Sequence, residues 1–254
     1  MKKRLTLLVF TMLAIFYLVE STSIFNFKHY PPAKTVFTST HWKQMGGFEA
    51  ATPDKMRLGC WSTALAQIAR FHCLRPYGHV RYTSTKGYII NETFDSSSYD
   101  LNQITNQIDS TTPPQQQKAL AAYNFAAAVI MEKDFGTDNY MHLLASARQL
   151  EEHYRLHSSR YISWHGVAPY TSGKLFRIVQ EELLAGRPLL LHFANLAGFG
   201  HAVVIDGYKT EGVKQMVHLN QGQGGPQDGW YEFNGDILAP GDRKLRVIYT
   251  IRPL

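Results

Sequence analysis

Cys60 and His201 are the two residues whose types and surroundings point to chemistry. Cys60 follows Gly59 at the start of a stretch, Leu58 to Phe71, in which Trp61, Leu65, Ile68 and Ala69 recur at helical spacing. A thiol at a helix N-terminus meets the positive end of the dipole, and its pKa is expected to fall toward the reactive range. Gly59 lets the backbone turn sharply there. Position alone leaves a buried structural cysteine as an equal alternative. His201 opens the hydrophobic run Ala202-Val203-Val204-Ile205 after the loop Gly198-Phe199-Gly200. A histidine is out of place as the first residue of such a strand, and that position presents an imidazole at the rim of a sheet. Together a thiol and an imidazole make a nucleophile and its base for attack on a carbonyl.

Two further residues complete such a site. Asn220 ends the strand Met216 to Leu219 and precedes Gln221-Gly222-Gln223-Gly224-Gly225. A neutral amide suffices to hold an imidazole in its useful tautomer. An Asn beside a glycine turn is equally a turn residue, but the order Cys, His, Asn favours the orienting role. Gln44, in Trp42-Lys43-Gln44, lies 16 residues before Cys60. Its amide and the Cys60 N–H are candidate oxyanion donors, although spacing alone does not separate it from an ordinary surface glutamine.

The elements that must position these groups fall into two halves. Pro31-Pro32 makes the segment before Trp42 extended. Helices are expected at Leu58–Phe71, at Tyr99–Ile108, from Pro114 to about Lys133, from Thr137 or Asp138 to about His153, and at Leu175–Ala185, the last closed by Gly186. Residues 77–100 read as loops with a short strand. From Arg187 onward short runs rich in β-branched, aromatic and leucine residues alternate with Gly, Asn and Asp: Leu189–Phe193, His201–Ile205, Met216–Leu219, Trp230–Phe233 and Leu245–Ile251. The expected class is α+β, a helical N-terminal half packed on an antiparallel β C-terminal half with the active site in the cleft between them.

Within these elements the chain resembles the streptopain family of bacterial cysteine peptidases, which have a papain-like fold. Gly59-Cys60-Trp61-Ser62-Thr63-Ala64-Leu65-Ala66-Gln67-Ile68 is similar to its catalytic helix, and Trp42-x-Gln44 to its oxyanion glutamine. Gly200-His201-Ala202-Val203-Val204-Ile205-Asp206-Gly207-Tyr208 resembles its histidine strand, and Val217-His218-Leu219-Asn220 with the following glycines its asparagine segment. The likeness covers roughly residues 40–240. It implies a cysteine endopeptidase, without cofactor or metal, that cleaves protein or peptide substrates through Cys60, His201, Asn220 and Gln44. Two departures stand out. The family has tryptophan where this chain has Gln221 and Gln223, which implies a looser shield over the His–Asn pair. The family also carries a long inhibitory propeptide, whereas a short stretch precedes Trp42, which implies external control such as a separate protein inhibitor, less need of control, or another job. An amidase or transferase with the same Cys–His chemistry, and a weak or inactive peptidase-like binding protein, are the alternatives. The 141-residue Cys–His separation and the helical insert favour the peptidase.

The bulk properties fit this reading. With 254 residues, 44% hydrophobic and 18% charged, the chain can bury a core without disulfides. Three of the 26 basic residues and one of the 20 acidic ones lie in the first 23, which leaves an excess of four with no long basic run. That argues against a nucleic-acid surface. Lys2, Lys3 and Arg4, the apolar run Leu5–Val19 and then Ser21-Thr22-Ser23 have the order of a secretory signal peptide over residues 1–23. At 15 residues this run is short of the roughly 20 that span a bilayer. A secreted or periplasmic protein without stable membrane insertion is expected, with an uncleaved anchor as the lesser alternative. Residues 24–39 then form an extended segment and residues 40–254 the peptidase domain. Cys60 and Cys73, on one expected helix and about 20 Å apart at ~1.5 Å per residue, are too distant for a disulfide, which needs Cα atoms within about 7 Å.

Overall fold

A computed structural model describes residues 30–254. The signal peptide expected at residues 1–23 lies outside the described residues. Four α-helices and ten strands are present among them. The helices are α1 (Cys60–Phe71), α2 (Pro114–Ile130), α3 (Ala147–His153) and α4 (Ser172–Leu184). The main sheet takes β1 (Ala33–Thr35), β4 (Leu156–Trp164), β5 (Ala168–Pro169), β6 (Leu189–Ala194), β7 (Gly200–Glu211), β8 (Lys214–Asn220), β9 (Gly229–Glu232) and β10 (Leu245–Pro253). Its order is β5-β4-β10-β6-β7-β8-β9, with β1 against β7, and every pairing is antiparallel. A separate hairpin joins β2 (Gly78–Thr83) to β3 (Ile89–Phe94).

Alternation does not drive the central strands. Leu189 to Phe193 and His201 to Tyr208 are buried at every position, because both faces of the sheet are covered. One face packs against α1 and α2 through Leu65, Ile68, Leu190, Val204 and Val247. The other packs against α4 through Leu175, Val179, Leu191, Val203 and Val217. The helix α1 lies directly on β6 and β7 and is buried from Trp61 to Ala69.

Two expected helices differ, and one strand was not expected. Tyr99–Ile108 contains only a 3₁₀ turn, Leu101–Gln103, capped by the Asp100 carboxylate. An Asp at the cap with Asn102 behind it satisfies the backbone locally and does not propagate a helix. The expected helix from Thr137 is confined to Ala147–His153, since residues 133–140 are folded around the Lys133 ammonium, which donates to the carbonyls of Thr137 and Asn139. The long strand β4 arises from a sequence, Leu156-His157-Ser158-Ser159-Arg160, that carries little β signal; its nine pairs to β10 supply the reason.

Candidate active site

The site forms where the N-terminus of α1 meets the start of β7. Gly59 precedes the helix at φ 88°, in the region open to glycine, and a Cβ there would stand 2.4 Å from the Tyr140 hydroxyl. That hydroxyl accepts the Ser62 N–H at 3.1 Å and lies 3.0 Å from the Ser62 hydroxyl. Tyr140 thus caps the helix from a distant segment, because Gly59 has no side chain to do so. Cys60 is half-buried and unpaired, as is the exposed Cys73.

The main-chain N–H groups of Ala202, Trp61 and Cys60 itself act on the Cys60 thiol and favour its ionised form. Ala202 follows His201, so this interaction brings the two sequence-predicted reactive residues to one place. Contrary to the expected fall, the Cys60 thiol is pushed up: burial outweighs the three N–H groups and the nearby Arg57 charge. Burial likewise lowers the His201 imidazole to about 4, against the opposing hydrogen bond to Gln221. Each charge is disfavoured by burial when taken by itself.

His201 is 8% exposed. Its Nε2 lies 3.2 Å from the main-chain carbonyl of Gln221, and the edge of Phe193 packs on it at 5.8 Å between ring centres. Asn220 is next to this carbonyl, yet its side chain is otherwise engaged. Its amide donates to the Thr40 carbonyl at 2.6 Å and the Thr38 hydroxyl at 3.3 Å, and its Oδ1 accepts the Gly222 N–H at 3.0 Å. The ring bond expected of Asn220 is made by the neighbouring carbonyl. Asp228 fixes that peptide by accepting the Gln221 N–H at 2.7 Å. The Gln221 side chain is fully buried with neither amide atom partnered, and Gln223 is half-buried.

The segment Thr38–Gln44 straps both halves. Thr38 donates from N and Oγ1 to Asp206, which is also 2.7 Å from His218 Nδ1. Thr40 Oγ1 donates to Gln67 of α1. Trp42 is wholly buried and donates to the Thr105 carbonyl. Beyond that anchor Gln44 is held twice, through its carbonyl by the Leu58 N–H and through Oε1 by the Arg57 Nε–H at 2.8 Å. Its Nε2 is buried without an acceptor. An unpaired buried donor costs about 1–3 kcal/mol, which makes this one a candidate donor to a ligand atom.

Sequence reasoning overlooked Arg57, Tyr140, the Gln221 carbonyl and His192. The His192 ring stacks on Trp61 at 4.8 Å, its Nδ1 is buried without a partner, and burial holds it near 4. The position of Arg57 three residues before Cys60 was a usable signal; a carbonyl leaves none. Among the described residues no group of three His, Cys, Asp or Glu side chains could hold a metal.

The sequence profile of the Peptidase C10 family matches residues 42–231, three quarters of the chain. The chain belongs to the Peptidase C10 family. It is a cysteine-type peptidase by that membership. No curated protein matches it. Among solved structures, the active wild-type interpain A cysteine protease of Prevotella intermedia superposes with a TM-score of 0.70 at 24% identity, over 86% of this chain and 95% of that one. A prointerpain A fragment from the same organism gives 0.67 at 23% identity, over 86% and 72%. At such identities the likeness establishes the shared papain-like α+β fold, with its mixture of helices and antiparallel sheet.

Proposed function

We propose that this chain is a secreted cysteine endopeptidase in which Cys60 attacks the scissile carbonyl and His201 manages the proton. The Cys60 Sγ–C bond forms as the carbonyl oxygen becomes an oxyanion, received by Gln44 Nε2 and the Cys60 N–H. His201 then protonates the leaving amine, and water hydrolyses the thioester. The Gln221 carbonyl keeps Nε2 protonated, which leaves Nδ1 for the sulfur. Asn220 acts one step away, clamping the strap that carries Gln44 to the end of β8. The carrying observation is that the helix opened by Cys60 packs on the strand that begins Gly200-His201, where the Ala202 N–H acts on the Cys60 thiol. Secretion rests on the basic-then-apolar order of residues 2–23, and no helix among the described residues is long and apolar enough to cross a membrane.

The test is labelling with an epoxide thiol inhibitor and digestion of an unfolded protein substrate. Labelling confined to Cys60, lost in His201→Ala, with digestion abolished in Cys60→Ala, is the expected result. Digestion that survives Cys60→Ala sinks the proposal. The unpartnered amide of Gln221 favours a second reading, a slow enzyme whose imidazole shield is weakened. It predicts intact labelling with poor turnover.

A further inference from the structure

Arg57 is exposed, unlike the other groups of the site. Its Nε–H is committed to Gln44 Oε1 at 2.8 Å. Among the described residues that is its one hydrogen bond, and no carboxylate pairs with it. Its positive charge nevertheless reaches the reacting atoms, for it acts on both Cys60 and His201. A guanidinium held by Nε keeps its two terminal nitrogens in a fixed plane, the fork geometry that takes a carboxylate through two hydrogen bonds.

The reach can be bounded. An oxyanion on Gln44 Nε2 lies about 3 Å from it, the two amide atoms are about 2 Å apart, and Arg57 Nε stands 2.8 Å beyond Oε1. Arg57 Nε is therefore at most about 8 Å from the scissile carbonyl oxygen, and the terminal nitrogens at most about 10 Å. An extended substrate advances about 3.4 Å per residue. A carboxylate set against it therefore belongs to a residue within about three of the scissile bond.

We propose that Arg57 is a specificity-determining residue that receives a substrate carboxylate near the scissile bond. The inference rests on Gln44 as oxyanion donor. The carboxylate has two sources, an Asp or Glu side chain within the substrate or the free C-terminus of a short peptide. Because Nε also holds Gln44, the same arginine couples recognition of the acid to the position of the oxyanion donor.

The experiment uses the full chain. Quenched peptides with Glu or Gln at each position within about three of the cleaved bond, all C-terminally amidated, are compared with neutral peptides carrying a free C-terminus. A two-pronged charge-assisted contact is expected to raise kcat/KM for the acidic peptide about tenfold over its neutral partner. The ratio should fall to about one in Arg57→Ala and invert in Arg57→Glu. A ratio is read because Arg57→Ala also loosens Gln44 and slows every substrate. A Glu preference assigns the side chain as the source, and a preference confined to free C-termini assigns the terminus. Equal rates for acidic and neutral peptides of both kinds overturn the proposal, as does a preference that survives Arg57→Ala. Failure of the peptidase reading is separable. In a Cys73→Ser background, the alkylation rate of Cys60 by iodoacetate over that by iodoacetamide should drop about tenfold in Arg57→Ala, whether or not any peptide is cleaved. An unchanged ratio there also refutes a carboxylate-receiving Arg57.

Discussion

Replacing Asn220 by alanine separates two roles that a side chain between a catalytic strand and a glycine turn could have. In the structure its amide serves the Thr40 carbonyl, the Thr38 hydroxyl and the Gly222 N–H. Asn220→Ala therefore orphans two main-chain groups in a buried place. At about 1–3 kcal/mol each the loss is about 2–6 kcal/mol. For a fold of this size about 2–4 °C accompanies each kcal/mol, so Tm should fall by about 4–24 °C. His201 keeps its bond to the Gln221 carbonyl, and so the imidazole stays oriented. Well below the melting range, the rate of inactivation by an epoxide thiol inhibitor should fall less than about tenfold, far short of the ~10⁴ that follows loss of an orienting group in a hydrolase triad. Its pH dependence should keep its shape. Asn220→Asp serves as a control: it retains an acceptor for Gly222 but sets a carboxylate oxygen against the Thr40 carbonyl, and it should melt at least as low. A variant with wild-type Tm and a thousandfold slower inactivation would refute this reasoning and give Asn220 the ring.

Other outcomes follow from the same geometry. Gln44→Ala removes a donor that binds nothing in the resting protein, so kcat should drop about 10²–10³-fold in steady-state assays with little change in melting. In Gly59→Ala the new Cβ stands 2.4 Å from the Tyr140 hydroxyl at a φ of 88°; the backbone strain alone costs about 1–3 kcal/mol. Adding Tyr140→Phe should restore only the part due to the clash, as a denaturant-melt double-mutant cycle would show. His192 and His201 have pKa values lowered from 6.5 to about 4 by burial. The unfolded chain takes up their protons first on acidification, so their contribution is complete above pH 6.5 and lost progressively down to about 4. The span amounts to at most about 3 kcal/mol for each ring, and His192→Phe should flatten the pH dependence of Tm in that window.

The large strands and helices were legible because their local signals agree with their tertiary place. Leu189–Phe193 and Leu245–Ile251 are apolar β-type runs that became central strands. Pro114 and Gly186 punctuate α2 and α4 where proline and glycine are expected to. Legibility failed where tertiary bonds displaced local preference, as at Tyr99–Ile108 and around Lys133.

For the proposed site, the sequence by itself determined the candidate reactive atoms. Only side chains supply a thiol, an imidazole and a carboxamide, and Cys60, His201 and Gln44 stand beside Gly59, a hydrophobic strand and Trp42 in an order that leaves a readable trace. Tertiary structure decided their state and their partners. Burial pushes the Cys60 thiol up where helix position argued for down, and desolvation depends on what the whole fold lays over a group. The acceptor for His201 is a main-chain carbonyl. Every residue carries one, so no residue type could mark which of them the fold would bring to the ring.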